Sequence, residues 1–377
     1  NYEYEFLKRG LIGEILRLIF ENVTMKIVFS VSFIFLLILS ILLFNIFVTN
    51  FNKKPDYNKL IFSITIFTSP VTIQHLIYDA GRYDIINLII TLSCFFIIEK
   101  LHKKTFSTFV FIGLPITLML FIHEAAFFMF VPIIFGYWFF KNSSRPAIIL
   151  QVVLFILITF LTFKISNIGL PTKFTLDEYY SLLVNKGTYV EGVFIPNPML
   201  SKYSISVFYG GIIDKFDNNI LSVLFKDAMV LGFSKYWLVH NFFLMTLLSP
   251  LFYIVFIIFR DFYCNSRFET KIFLLSGLSP LFLYFIAYDH MRWWALTFIN
   301  IFLIFFKISK QNNFYAEVIK KYVIKYKNLF IFLIIQASIL GPIMNYESFD
   351  IVLYFLKILE IPLYDLYPPE VFMREMN

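Results

Sequence analysis

Long apolar runs dominate this chain and leave it little choice of environment. Runs able to cross about 30 Å of hydrocarbon stand near 25–49, 60–77, 85–99, 106–122, 124–140, 147–164, 236–259, 272–288, 293–308 and 328–344. A further candidate, 350–364, is interrupted by Lys357 and Glu360 and suits the membrane interface as well as a span. Of 377 residues, 59% are hydrophobic and only 15% are charged. A soluble domain carries about a quarter charged residues, so this chain cannot cover a water-soluble globule. Disordered, collagen-like, coiled-coil and nucleic-acid-binding classes are excluded on the same ground. The sequence predicts an all-α polytopic membrane bundle of about 10–12 transmembrane helices, built as one membrane domain over 1–377. Cys94 lies in an apolar run and Cys264 in a basic loop. They can form neither a CxxC motif nor a zinc cluster, and both read as unpaired.

Charge between the runs sets an orientation. One alternating set of loops carries Lys53, Lys54 and Lys59, then Lys100, Lys103 and Lys104, then Lys141 and Arg145, then Arg260, Arg267 and Lys271, then the stretch from Lys307 to Lys327. By the positive-inside rule this set is cytoplasmic, which also accounts for the net charge of +7. The other set, 1–24, 78–84, 122–124, 165–235, 289–292 and the C-terminal end, is then extracytoplasmic. Asn1 falls outside in this arrangement, which implies a span ahead of it. The segment 165–235 is the one long hydrophilic insertion, with Pro171, Pro196, Pro198, Gly210 and Gly211 set among Tyr179, Tyr180, Tyr189 and Tyr203. It reads as an extracytoplasmic lid or substrate-binding loop, with a passive connector as the alternative.

Four polar clusters lie in the extracytoplasmic set: Lys8–Arg9, Tyr78-Asp79 through Arg82 to Asp84, His123–Glu124, and Tyr288-Asp289 through Arg292 to Trp293. Ionisable groups at helix ends in hydrocarbon are costly unless they face a cavity or a partner. The four are therefore expected to share a wet cavity at one end of the bundle. Few ionisable residues fall mid-span or face the basic side. The second and fourth clusters share a pattern: Ser69-Pro70 precedes Tyr78-Asp79 and Arg82, and Ser279-Pro280 precedes Tyr288-Asp289 and Arg292 at the same spacing. This suggests a parallel repeat in which each Ser-Pro kinks its helix.

Guanidinium forks match phosphate geometry and keep their charge on burial. Arg82 and Arg292 are thus candidate phosphate ligands, unless Asp79 and Asp289 take them in internal pairs. Lys8 and Arg9 would seat a second phosphate or anchor the chain at the interface. Tyr78, Tyr288 and Trp293 suit sugars or interfacial anchoring. Glu124, in an apolar setting, is the leading general base, with His123 as a second base or as its orienter. The alternative is a hydrogen-bonded pair that closes a tight turn. Asp79, Asp84 and Asp289 are rival bases. The chain has no P-loop, Rossmann fingerprint, HExxH or GxSxG motif.

Lys8-Arg9-Gly10-Leu11, Asp79-x-Gly81-Arg82, His123–Glu124 and Asp289-x-x-Arg292-Trp293 resemble the polytopic proteins of bacterial surface-polysaccharide clusters, above all the Wzy-type O-antigen polymerases. Members of that group are Phe- and Ile-rich, with many spans and a large periplasmic loop, here 165–235. The same motifs suit the wider class of polyprenol-dependent membrane glycosyltransferases. That class usually places a catalytic Asp or Glu in its first outer loop, where this chain offers Glu3, Glu5 and Glu14 and no Asp.

The resemblance implies glycosyl transfer at the periplasmic face of the inner membrane, with undecaprenyl-pyrophosphate-linked glycan as donor and a lipid-linked repeat unit as acceptor. Arg82 and Arg292 would hold the pyrophosphate, Glu124 with His123 would deprotonate the acceptor, Arg9 would seat the second lipid, and Asp79 and Asp289 would orient the arginines. Neither ATP nor a metal is implied, and no nucleic acid. The implied partners are membrane lipid and a protein that regulates chain length. A flippase for lipid-linked sugars and a membrane O-acyltransferase with His123 as base are the alternatives.

Overall fold

The computed structural model describes residues 11–20, 23, 25–49, 56–78, 84–166, 246–285 and 290–340. Among these the protein is helical throughout, without strands: an all-α membrane-embedded bundle. The loop 165–235, from residue 167 onward, and the candidate span 350–364 lie outside the described residues.

In chain order the helices are α1 (Leu11–Ile19), α2 (Met25–Phe44, continued by a π-turn over Asn45–Thr49), α3 (Tyr57–Thr68), α4 (Ile73–Tyr78), α5 (Asp84–Leu101), α6 (Thr105–Ile122), α7 (Ala126–Met129), α8 (Val131–Lys141) and α9 (Arg145–Ser166). Then follow α10 (Ser249–Cys264), α11 (Phe268–Ser276), a 3-10 segment (Ser279–Phe285), α12 (His290–Gln311), α13 (Asn313–Lys325) and α14 (Lys327–Leu340). Five stretches are long and apolar enough to cross a membrane: Lys26–Phe47, Tyr57–Ile77, Thr105–Ile122, Arg145–Ser166 and Met291–Gln311. The α13–α14 pair adds a sixth if its 84° bend lies within one span. Helix α5 matches α6 in length but carries Asp84, Glu99 and Lys100.

Hydrocarbon offers no partner to backbone groups, so apolar runs fold as helices that satisfy themselves. Hydroxyls follow the same rule: Thr65, Thr91, Thr108 and Thr297 each donate to the carbonyl four residues back. Helix α3 starts where Asp56 accepts from the Asn58 N–H at 3.0 Å and pairs with Lys320 at 3.0 Å. Burial pushes the Asp56 carboxyl up. The Lys320 ammonium and the Asn58 and Lys59 N–H groups outweigh this and hold its pKa below the ordinary value. The contact is therefore fully present above the usual carboxylate range and is lost as pH falls through the lowered pKa.

At Ser69-Pro70 the helix is interrupted locally between α3 and α4 while Tyr57–Ile77 remains one span, and at Ser279-Pro280 α11 has already ended. After α3 the freed carbonyls are taken up locally: Thr72 Oγ1 lies 2.5 Å from the Ile66 carbonyl, and Gln74 Nε2 donates to Thr68 and, across the bundle, to Ala337, both at 2.8 Å. Beyond Ser279-Pro280 the chain continues as the 3-10 segment. Both stretches thus run helix, break and short element before a long helix, α5 or α12. Ser249-Pro250, lacking the rest of the pattern, starts α10 in its first turn.

Helix α12 is the axis of the bundle, with 94% of its most apolar window buried inside the protein against 17% for α2 and 22% for α9. Phe29, Phe33 and Leu37 on α2 and Val152, Ile156 and Phe160 on α9 face outward, as suits lipid. Gly136 on α8 lets α11 approach closely. A Cβ there would lie 2.5 Å from Ser276 Oγ and 2.9 Å from Ser276 Cβ on α11. Gly136→Ala is expected to cost about 1–3 kcal/mol through backbone displacement. Gly113→Ala meets only the tip of Leu154 at 3.3 Å and should change little. Melting temperatures of the two purified variants test the contrast.

Candidate functional site

Helices α5 and α6 form an antiparallel hairpin through a short turn at 102–104, so Asp84 and the residues after Ile122 share one end of the bundle. Helix α6 stops at His123, whose N–H still reaches the Met119 carbonyl at 2.8 Å while its own backbone turns extended. The carbonyls of His123 and Glu124 accept from Ala126 and Phe127 at 3.0 and 3.1 Å, which starts α7. Helix α7 packs on the 3-10 segment and on α12. The His123–Glu124 turn therefore lies at the same end of the bundle as Arg292 and Trp293.

Within the turn, His123 Nδ1 accepts the Ala125 N–H at 3.1 Å. That bond puts the ring proton of a neutral imidazole on Nε2. Glu124 Oε2 lies 3.7 Å from the same Nδ1, and both residues are 7% exposed. His123 thus closes the turn and steadies it, with the Glu124 carboxylate held beside its ring.

Arg292, in the first turn of α12, grips Asp84, the first residue of α5. Nε donates to Oδ2 at 2.5 Å and Nη2 to Oδ1 at 2.6 Å. The pair is buried, with side chains 10% and 1% exposed, and the guanidinium lies 5.1 Å from the Trp293 ring centroid. The sequence pattern pointed to Asp289, three residues away, as the carboxylate for Arg292, and to Asp84 as a substrate ligand or base. In the folded chain Asp84 is itself a carboxylate that holds Arg292. A helix register cannot reveal this, because the two residues come from separate clusters. Lys8, Arg9, Asp79, Arg82, Tyr288 and Asp289, and the side chain of Tyr78, lie outside the described residues.

The sequence reading placed few ionisable groups facing the basic side, and the structure corrects this. At the opposite end of the same two helices, Lys307 Nζ donates to Glu99 Oε1 at 2.7 Å, and the Tyr137 hydroxyl donates to the same oxygen at 2.8 Å. The ammonium stands 5.4 Å from both the Phe95 and Tyr137 ring centroids. Glu99 had been masked by its neighbour Lys100 and by the basic loop that follows. A signal was nevertheless present: two acids on one helix, at 84 and 99, share their spacing with two bases on another, at 292 and 307.

Among the described residues no three His, Cys, Asp or Glu side chains stand close enough to hold a metal ion. Cys94 and Cys264 are unpaired thiols, the first buried and the second exposed. Comparison with known proteins brings no assignment: no family model, no curated protein and no solved structure matches this chain.

Proposed function

We propose that this chain is a metal-independent glycosyltransferase of a bacterial inner membrane that polymerises undecaprenyl-pyrophosphate-linked repeat units on the extracytoplasmic side. The supporting observation is the gathering of Asp84–Arg292, Trp293 and the His123–Glu124 turn at one end of an apolar bundle. In this reading Glu124 removes the proton from the acceptor hydroxyl, and that oxygen attacks the donor's anomeric carbon. The bond to pyrophosphate breaks, and Arg82 with Arg292 neutralises the leaving group. Asp84 fixes the guanidinium plane of Arg292, so the pyrophosphate shares that residue with a carboxylate. Arg9 and Lys8 seat the second lipid, while Tyr78, Tyr288 and Trp293 face sugar. The partners are lipid-linked glycan, membrane lipid and a chain-length-regulating protein.

Purified protein supplied with lipid-linked repeat units should lengthen the glycan. Glu124→Gln should slow this by about 100-fold or more, while the variant keeps the wild-type melting temperature. Full polymerisation by Glu124→Gln would end the reading.

One observation favours a second reading, a transporter of lipid-linked sugars. Ion pairs at both ends of one helix pair, buried at Asp84–Arg292 and partly buried at Glu99–Lys307, are what a carrier with alternating closures would use. Proteoliposomes separate the two: translocation of lipid-linked sugar without lengthening supports the carrier.

A further inference from the structure

The two ion pairs hold α5 and α12 parallel and in register, since each joins residues 208 apart. With the register fixed, a rotation of about 100° per residue assigns every other side chain on the two helices to one side of the pair or the other. Asn87 and Thr91 of α5 fall on the same side as Trp293 and Asn300 of α12. Contacts agree that α7 and α8 cover this side. Asn300 Nδ2 donates to the Met129 carbonyl at the end of α7 at 2.8 Å, and Phe95 packs on Tyr137 of α8 with centroids 4.6 Å apart.

On this seam Asn87 is fully buried, and neither its Oδ1 nor its Nδ2 has a hydrogen-bond partner. Asn300 is fully buried and its Oδ1 is unmatched, as is Nε1 of Trp293 at 3% exposure. Native proteins pair nearly all such atoms, so a group of orphans on one seam points to a polar group that belongs there.

We propose that the seam between α5, α12 and the α7–α8 segment, lined by Asn87, Trp293 and Asn300 and closed at its two ends by Asp84–Arg292 and Glu99–Lys307, binds a neutral sugar ring. Between the two ion pairs the seam offers neutral polar groups only, which suits a neutral ligand there. Carboxamides offer a donor and an acceptor together, as neighbouring hydroxyls require. Asn87 lies about 4.5 Å below the Asp84 level and Asn300 about 12 Å below the level of Arg292. The difference matches a hexose and its hydroxyls. The choice of a sugar rests on the glycan reading above, and the Asp84–Arg292 pair would have to part to admit it.

The test uses the purified full chain in detergent with D-glucose, D-galactose, D-mannose and N-acetyl-D-glucosamine at millimolar concentration. L-Glucose serves as the control for nonspecific stabilisation by excluded solutes. At least one D-sugar should raise the melting temperature by about 2 °C over the control. Asn87→Leu and Asn300→Leu should abolish the rise. If a leucine variant fails to fold, quenching of tryptophan fluorescence by the same D-sugar should be reduced in Trp293→Phe. No stereoselective shift with any sugar, or a shift unchanged in all three variants, overturns the proposal. Sugar binding without glycan lengthening would overturn the polymerase reading and leave this one standing. Lengthening at full rate by Asn87→Leu would do the reverse.

Discussion

Replacing Arg292 with Met should destabilise the protein by about 3–5 kcal/mol, because it leaves the Asp84 carboxylate buried without its cation. Asp84 is 1% exposed and both its oxygens are engaged by Arg292, so water cannot replace what is lost. The double variant Asp84→Leu/Arg292→Met removes both charges and should recover most of the stability, since an apolar pair of similar volume often equals or exceeds a buried ion pair. Buried Cys94 supplies the readout: a thiol-reactive dye labels it only on unfolding, once exposed Cys264 has been changed to Ser. The comparison also bears on function. If the guanidinium only ties α5 to α12, the double variant should be active. If it meets pyrophosphate, that variant should be stable and inactive. A single variant that melts with the wild type would refute the buried pair itself.

Most of the fold was legible because hydrocarbon imposes a single rule on the backbone. The runs at 106–122 and 147–164 emerge as α6 and α9 within a few residues. Where the reading blurred, proline or glycine intervened. The run 272–288 divides at Gly277 and Ser279-Pro280 into α11 and a 3-10 segment, and 60–77 divides at Ser69-Pro70. The site was only half legible. Sequence proximity could place His123 beside Glu124, since their contact is local. It could not pair Asp84 with Arg292, Glu99 with Lys307, or Asn300 with the Met129 carbonyl. Those depend on which helix is central, and an apolar composition does not distinguish a buried helix from one facing lipid.

Lys307→Met should give the second large effect, about 1–3 kcal/mol, smaller than at the other end because the Glu99 side chain is 26% exposed and water can reach it. Three contributions disappear together: the charge-assisted bond to Glu99 and the ammonium's contacts with the Phe95 and Tyr137 rings. Glu99→Gln can still accept from the Tyr137 hydroxyl but strips the ammonium of its counter-charge, so it should cost a similar amount. Glu99→Gln/Lys307→Met should cost less than the sum of the two, because each single change leaves one ion without its counter-charge and the double leaves none. Melting curves of the four proteins complete the cycle, and strict additivity would mean that the two charges do not interact. The cycle carries weight for function as well. A carrier must break this closure in every turnover, so strengthening or removing it should alter translocation rates. An enzyme working at the Asp84 end has no step that must break it, so the folded double variant should still lengthen glycan.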